Sequence, residues 1–284
     1  MTEASISAAP TFGIFDSGDG PLAYRDAGPR DGHPLVLLHS GFVDHTEFDD
    51  LIPAFAAAGY RVIAPDARGH GWSANASRPF RQTDDLAALL RHLDLGEPAV
   101  LAGVSMGGMI GIDTAAEHPE LVRALLISGR GLCQPDPADD PWYAAMVDAQ
   151  HTALAAGDIP AWQDAFAAFA TGPTRTVAEL DAAMLGRIKE MALRTLLKHT
   201  PDEDPALCVP VPGLTQRLDE FTLPVLALNG ALDSPACLNT VTKLMDGIPH
   251  GRTLTLPGTG HYTSLERPEE FTRTLLDFLT EVHA

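Results

Sequence analysis

The chain has 284 residues, 45% of them apolar, and its 38 acidic and 19 basic side chains leave a formal charge of −19. This length suits one large core carrying an insertion, and the acidic balance argues against nucleic acid or an anionic membrane surface as a partner. Cys133, Cys208 and Cys237 are odd in number, widely spaced and free of any C-x-x-C pairing, so no disulfide framework is expected.

The start, Met1 to Ser5, has neither a basic segment nor an apolar run. No stretch approaches about 18 uninterrupted apolar residues. A soluble, cytoplasmic protein is the expectation. Phe12 to Phe15 and Leu22 to Asp26 read as two edge strands around a turn-rich Asp16 to Pro21. Leu35 to Leu38 reads as a buried strand that ends at His39-Ser40-Gly41-Phe42. Phe48 to Ala58 has helical spacing and leads into a strand at Tyr60 to Pro65. Thr83 is placed to cap a helix with Asp84 and Asp85 in its first turn. Strand and helix keep alternating as far as Ser128, which predicts a parallel sheet with crossover helices.

From about Gly131 to Glu220 the pattern is helical, without strands. Trp142, Tyr143, Met146 and Val147 form one apolar group; Trp162, Phe166 and Phe169 a second; Leu180, Met184, Ile188 and Met191 a third. Pro201 to Pro212 reads as an extended return. Strand-like runs then resume at Leu223 to Gly230 and Thr253 to Leu256. The expected organisation is a core of residues 1–130 and 221–284 with residues 131–220 inserted.

The chemistry-bearing stretch is Gly103-Val104-Ser105-Met106-Gly107-Gly108, between the apolar run Ala99 to Ala102 and a helix-like segment. A buried strand ending in Gly-x-Ser-x-Gly and turning at once into a helix holds the serine on a strained elbow, its hydroxyl above the sheet. Side chains at Gly103 or Gly107 would clash there. A serine nucleophile needs a base and a group to orient it. Asp233 follows one late strand and His261 follows the next, so all three lie just past strand ends in the order Ser105, Asp233, His261. His39, His70, His118 and His250 are scattered without metal-ligand spacing, so no metal site is assigned.

These motifs resemble the α/β-hydrolase superfamily, in its branch with an inserted lid. The matching stretches are Leu37 to Phe42, Val62 to Ser73, Gly103 to Gly108, Pro224 to Pro235, and Gly258 to His261 with Leu265 to Glu269. The resemblance implies a mostly parallel twisted sheet with helices on both faces and a helical lid. It also implies an oxyanion hole from the Gly41 and Met106 N–H groups, with Phe42 as donor if the loop is shifted by one. Phe42, Trp142, Trp162 and Tyr262 are assigned to the substrate pocket, and no cofactor is called for. The reaction expected is hydrolysis of a small-molecule ester or lactone; a homodimer stays open. Carbon–carbon bond hydrolases of the same fold often carry Asn before the serine and Trp after the histidine, where this chain has Val104 and Tyr262. That reading stays as an alternative, beside a lyase, cyclase, perhydrolase or ligand sensor. Compact neutral acyl groups are expected to be preferred, with Arg130 a solvated or salt-bridged surface residue. Activity is expected to rise with pH near the ordinary histidine range, about 6 to 7.

Overall fold

Apolar runs too short for helices and flanked by turn residues become eight strands of one sheet, ordered β1-β2-β4-β3-β5-β6-β7-β8. A computed structural model describes residues 11–132, 135–200 and 203–284; Met1 to Ser5, Cys133 and the first residue of the extended return, Pro201, lie outside them. The strands are β1 (Thr11–Asp16), β2 (Pro21–Ala27), β3 (His33–Leu38), β4 (Tyr60–Pro65), β5 (Ala99–Val104), β6 (Val122–Ser128), β7 (Val225–Gly230) and β8 (Gly251–Leu256). β1 pairs antiparallel with β2 and β2 with β4, whereas every pair from β4 to β8 is parallel. Only β1 of the first two strands is an edge, because β2 is covered by β4 on its other side.

The central strands β3, β5, β6 and β7 are buried along nearly their whole length. That is why they read as continuous apolar runs and not as alternating patterns. One face packs on Leu86 and Leu90 of α2 (Gln82–Leu93), Ile110 and Ile112 of α3 (Met106–Glu117), and Val241 and Leu244 of α7 (Pro235–Gly247). The other packs on Ile52 and Phe55 of α1 (Ile52–Ala57) and on Phe271, Leu275, Phe278 and Leu279 of α9 (Pro268–His283). A short helix α8 (Thr263–Glu266) precedes α9.

Two local expectations are corrected. The helix expected from Phe48 is a 3-10 turn, His45–Phe48, followed by α1, which starts where Pro53 falls in its first turn. Proline there lacks only an N–H that no helical carbonyl needs, whereas inside a longer helix it would break a bond. Thr83 does not cap α2: Arg81 is the cap residue, and the buried Thr83 hydroxyl has no hydrogen-bond partner among the described residues. Arg81 instead binds Asp84 and Glu117 through its guanidinium.

Between β6 and β7 lie α4 (Pro141–Ala155), α5 (Ile159–Ala168) and α6 (Ala182–Leu196), with no strand among the described residues. Trp162, Phe166, Met184, Leu185, Ile188 and Met191 form a separate apolar cluster that also takes in Val43 and Tyr262 of the sheet domain. Arginines tie this insert down: Arg175 to Glu266, Arg187 to Asp50 and the Thr46 carbonyl, and Arg194 to Asp44 at 2.7 Å. No helix among the described residues is long and apolar enough to cross a membrane.

Candidate active site

Ser105 is where β5 stops and α3 begins, with φ 52° and ψ −112°, a conformation that L residues rarely adopt. The flanking glycines are sterically required. A Cβ on Gly103 would sit 2.3 Å from the Gly107 carbonyl group, and one on Gly107 would sit 2.0 Å from the Leu38 carbonyl oxygen. The Ser105 N–H donates to the Ser128 carbonyl at 2.8 Å, which ties the elbow to β6. Ser105 is 9% exposed and lines a cleft that Tyr143, Val147, Phe166 and Phe169 of the helical insert also line.

Asp233 follows β7 and His261 follows β8, and the two side chains meet: the His261 Nδ1–H donates to Asp233 Oδ2 at 2.8 Å. The other carboxylate oxygen accepts from the Ser234 N–H at 2.7 Å, so Asp233 is held on both sides. Gly129 forms the floor, since a Cβ there would lie 3.0 Å from the imidazole and 3.3 Å from the carboxylate. Burial alone would lower the His261 pKa, but the Asp233 charge, its hydrogen bond and the nearby Cys237 overcome this and raise it to about 10. This moves the expected pH limb up from the ordinary histidine range.

The loop after β3 brings Gly41 against Met106, the Gly41 Cβ position lying 3.7 Å from the Met106 Cβ. Phe42 has a positive φ of 61°. Glu47 holds this loop from beneath. Its buried carboxyl accepts from the Ser40 N–H at 2.8 Å and from the Ser264 hydroxyl at 2.6 Å, joining the β3 loop to the histidine loop. Burial pushes the Glu47 pKa up against those bonds. His39 braces the neighbouring turn: Nδ1 bonds the Ser40 carbonyl at 2.7 Å and Nε2 accepts the Ala67 N–H at 3.0 Å. The Asp66 to Gly71 loop is likewise bracing, with Arg68 bonded to Asp85 and Ser17.

Ser105 and His261 line one cavity of about 210 Å³ with Gly41, Phe42 and Tyr262. Trp142 and Trp162, assigned to the pocket from the sequence, do not line it. Trp162 is buried inside the insert, stacked on Phe166 at 5.3 Å and edge-on to Phe42 at 5.6 Å; Trp142 lies behind Phe169 at 5.3 Å. Phe169 itself stands edge-on to His261 at 4.8 Å, and Tyr262 stands edge-on to the same imidazole at 5.4 Å. The remaining wall comes from Tyr143, Val147 and Gln150 of α4, Phe166, Cys237 and Arg130. Periodicity grouped most of the insert residues correctly but carried no signal for which member of a group turns inward.

Among the described residues, three groups of side chains come within 4.8 Å as metal ligands would: Asp233, Cys237 and His261; Asp44, His45 and Asp66; and His33, Glu97 and His283. The first is engaged in the His261–Asp233 bond, the second in the His45–Asp66 and Arg194–Asp44 pairs, and the third lies partly exposed with Glu97 bonded to Arg123.

The model of the alpha/beta hydrolase family matches residues 35–274. This chain belongs to that family. A curated relative named for non-heme bromoperoxidase activity, from Mycobacterium tuberculosis, is 32% identical over 93% of this chain and 99% of its own length. Among solved structures, a thermophilic esterase from Thermogutta terrifontis is 22% identical, covers 98% of this chain and 100% of its own, and superposes with a TM-score of 0.75. The enol-lactonase from Burkholderia xenovorans is 24% identical over 94% of this chain and 100% of its own, with a TM-score of 0.74. These two likenesses establish the fold of this α/β hydrolase; its chemistry has to be argued from the cleft.

Proposed function

We propose that this α/β hydrolase cleaves a carboxylic ester or lactone through an acyl-enzyme on Ser105. The observation that carries the reading is the strained Ser105 facing the same cavity as a histidine whose Nδ1 is already bound to a buried carboxylate. With Nδ1–H donated to Asp233, the remaining nitrogen, Nε2, is the acceptor for the Ser105 proton. Ser105 Oγ then attacks the carbonyl carbon. The Gly41 and Met106 N–H groups take the oxyanion, aided by the positive end of α3. His261, now protonated and stabilised by Asp233, returns the proton to the leaving alcohol. It next takes a proton from water, which attacks the acyl-enzyme and frees the acid. The helical insert serves as a lid, its Phe166 and Phe169 keeping water from the developing charge.

Val104 before the serine and Tyr262 after the histidine favour ester or lactone hydrolysis over carbon–carbon bond cleavage. The test is turnover of short-chain esters and small lactones by wild type and Ser105→Ala. Loss of several orders of magnitude in the variant supports the reading. Retention within about tenfold, roughly 1.4 kcal/mol of barrier, would overturn it.

A further inference from the structure

Arg130, expected from the sequence at the surface, is half-buried and lines the cavity that Ser105 and His261 face. Its place is set by the backbone. Gly129, with φ 71°, turns the chain beneath the His261–Asp233 pair, and the next residue follows directly into the cleft. Tyr143 of α4 lines the same cavity, and the Arg130 charge acts on its phenol against the upward push of burial on that group's pKa. Among the described lining residues Arg130 and His261 alone carry positive charge, and no carboxylate lines the cavity.

From this placement we propose that Arg130 forms a carboxylate subsite, so that the preferred substrate is an ester or lactone bearing a second, free carboxylate. This deepens the serine-hydrolase reading and rests on it. The surrounding wall is largely apolar, with Phe42, Val147, Phe166 and Phe169, and a low-dielectric wall strengthens the pull of a cation on an anion. A guanidinium has five donors in a planar fork matched to a carboxylate, so a bond to the protein leaves others for a ligand. Gln150, from α4, offers a neutral amide to the same wall. The charge of −19 acts over the whole surface and is screened by salt, whereas a contact inside the cleft is not. The local cation therefore outweighs the global charge, and the expectation of neutral substrates reverses.

The test compares monomethyl glutarate with methyl pentanoate, which differ in a terminal carboxylate against a methyl group. Wild type should favour the anionic ester in kcat/KM by about 10- to 100-fold, as charge-assisted hydrogen bonds do. Arg130→Met should abolish that preference, chiefly through KM, and Arg130→Lys should keep part of it. A binding arm does not depend on turnover: Ser105→Ala should bind monomethyl glutarate more tightly than methyl pentanoate by calorimetry, and Ser105→Ala with Arg130→Met should not. A wild-type ratio at or below one, a ratio unmoved by Arg130→Met, or equal binding of both esters by Ser105→Ala would overturn the subsite. Full hydrolysis by Ser105→Ala would overturn the Ser105 reading instead, while the kcat/KM ratio of wild type against Arg130→Met still judges Arg130.

Discussion

The carboxyl end of the sheet and the helical insert above it build the two halves of one cleft by different physics. Below, the positions are fixed by backbone sterics: Gly103 and Gly107 leave no room for a Cβ, Gly129 floors the His261–Asp233 pair, and Ser105 carries the resulting strain. Above, the positions are fixed by side chains, through the Trp162–Phe166 stack and the arginine links from Arg175, Arg187 and Arg194. Backbone constraints tolerate almost no substitution. Side-chain packing yields gradually, so substrate preference is the property that changes there.

The largest expected effect lies in the sheet half. Asp233→Asn should lower kcat on the order of 10⁴, the loss the same change causes in the serine proteases, while circular dichroism stays native. Its pH profile gives the sign of the coupling. Because His261 is raised to about 10, the neutral imidazole that can accept a proton grows as pH rises, and the limb of kcat/KM should lie above about 7 in wild type. Asp233→Asn removes the charge that raises this pKa and leaves burial, which lowers it, so the limb should move to lower pH on a much reduced plateau. A limb that stays in place would show that Asp233 does not set the charge of His261.

Next come the steric positions. Gly107→Ala would place its Cβ against the Leu38 carbonyl oxygen, and should cost about 3 kcal/mol, a fall in Tm of about 6–12 °C, together with activity. Trp162→Ala opens a void of comparable intrinsic cost, about 3 kcal/mol, but inside the insert. It should raise KM and speed amide exchange in α5 and α6 while the central strands stay protected. Equal loss of protection in β5 and α5 would erase the distinction between the halves.

Asp113, a partly buried residue of α3, sharpens the comparison from the core side. Burial, with Glu117 nearby, raises its pKa to about 7. Its folded pKa is above the unfolded value, so the stability it contributes is complete in acid and is lost as pH rises through about 7. Asp113→Asn should therefore stabilise the protein on the order of 2 kcal/mol at pH 8.5 and hardly at all at pH 4, read as Tm at both pH values. The smallest effect is expected from Arg187→Ala, which removes a largely exposed link from α6 to Asp50 and should cost less than about 1 kcal/mol.

The same contrast governs what could be read from the sequence. The elbow at Ser105, the strand ends bearing Asp233 and His261, and the parallel order were legible because glycines and long apolar runs report backbone constraints directly. Thr83 misled, since a capping residue type says nothing of whether the helix starts two residues earlier, behind Arg81. Trp142 and Trp162 misled for a related reason: aromatic size marks packing, and each packs on an aromatic neighbour, Trp162 fully buried and Trp142 half-buried, instead of lining the cavity. Tyr143, Val147, Gln150 and Phe169 belong to the same stretches and do line it. Glu47 had no signal at all, because its two partners, Ser40 and Ser264, are 7 and 217 residues away.

The most direct measurement of the central claim is intact-mass analysis after exposure to a fluorophosphonate, followed by peptide mapping. A serine activated by His261 and Asp233 should take up one phosphonyl group per chain, on Ser105, with the rate rising along the same pH limb as turnover. Ser105→Ala should take up none. Absence of an adduct in active wild type, or an adduct on another residue that persists in Ser105→Ala, would contradict the account.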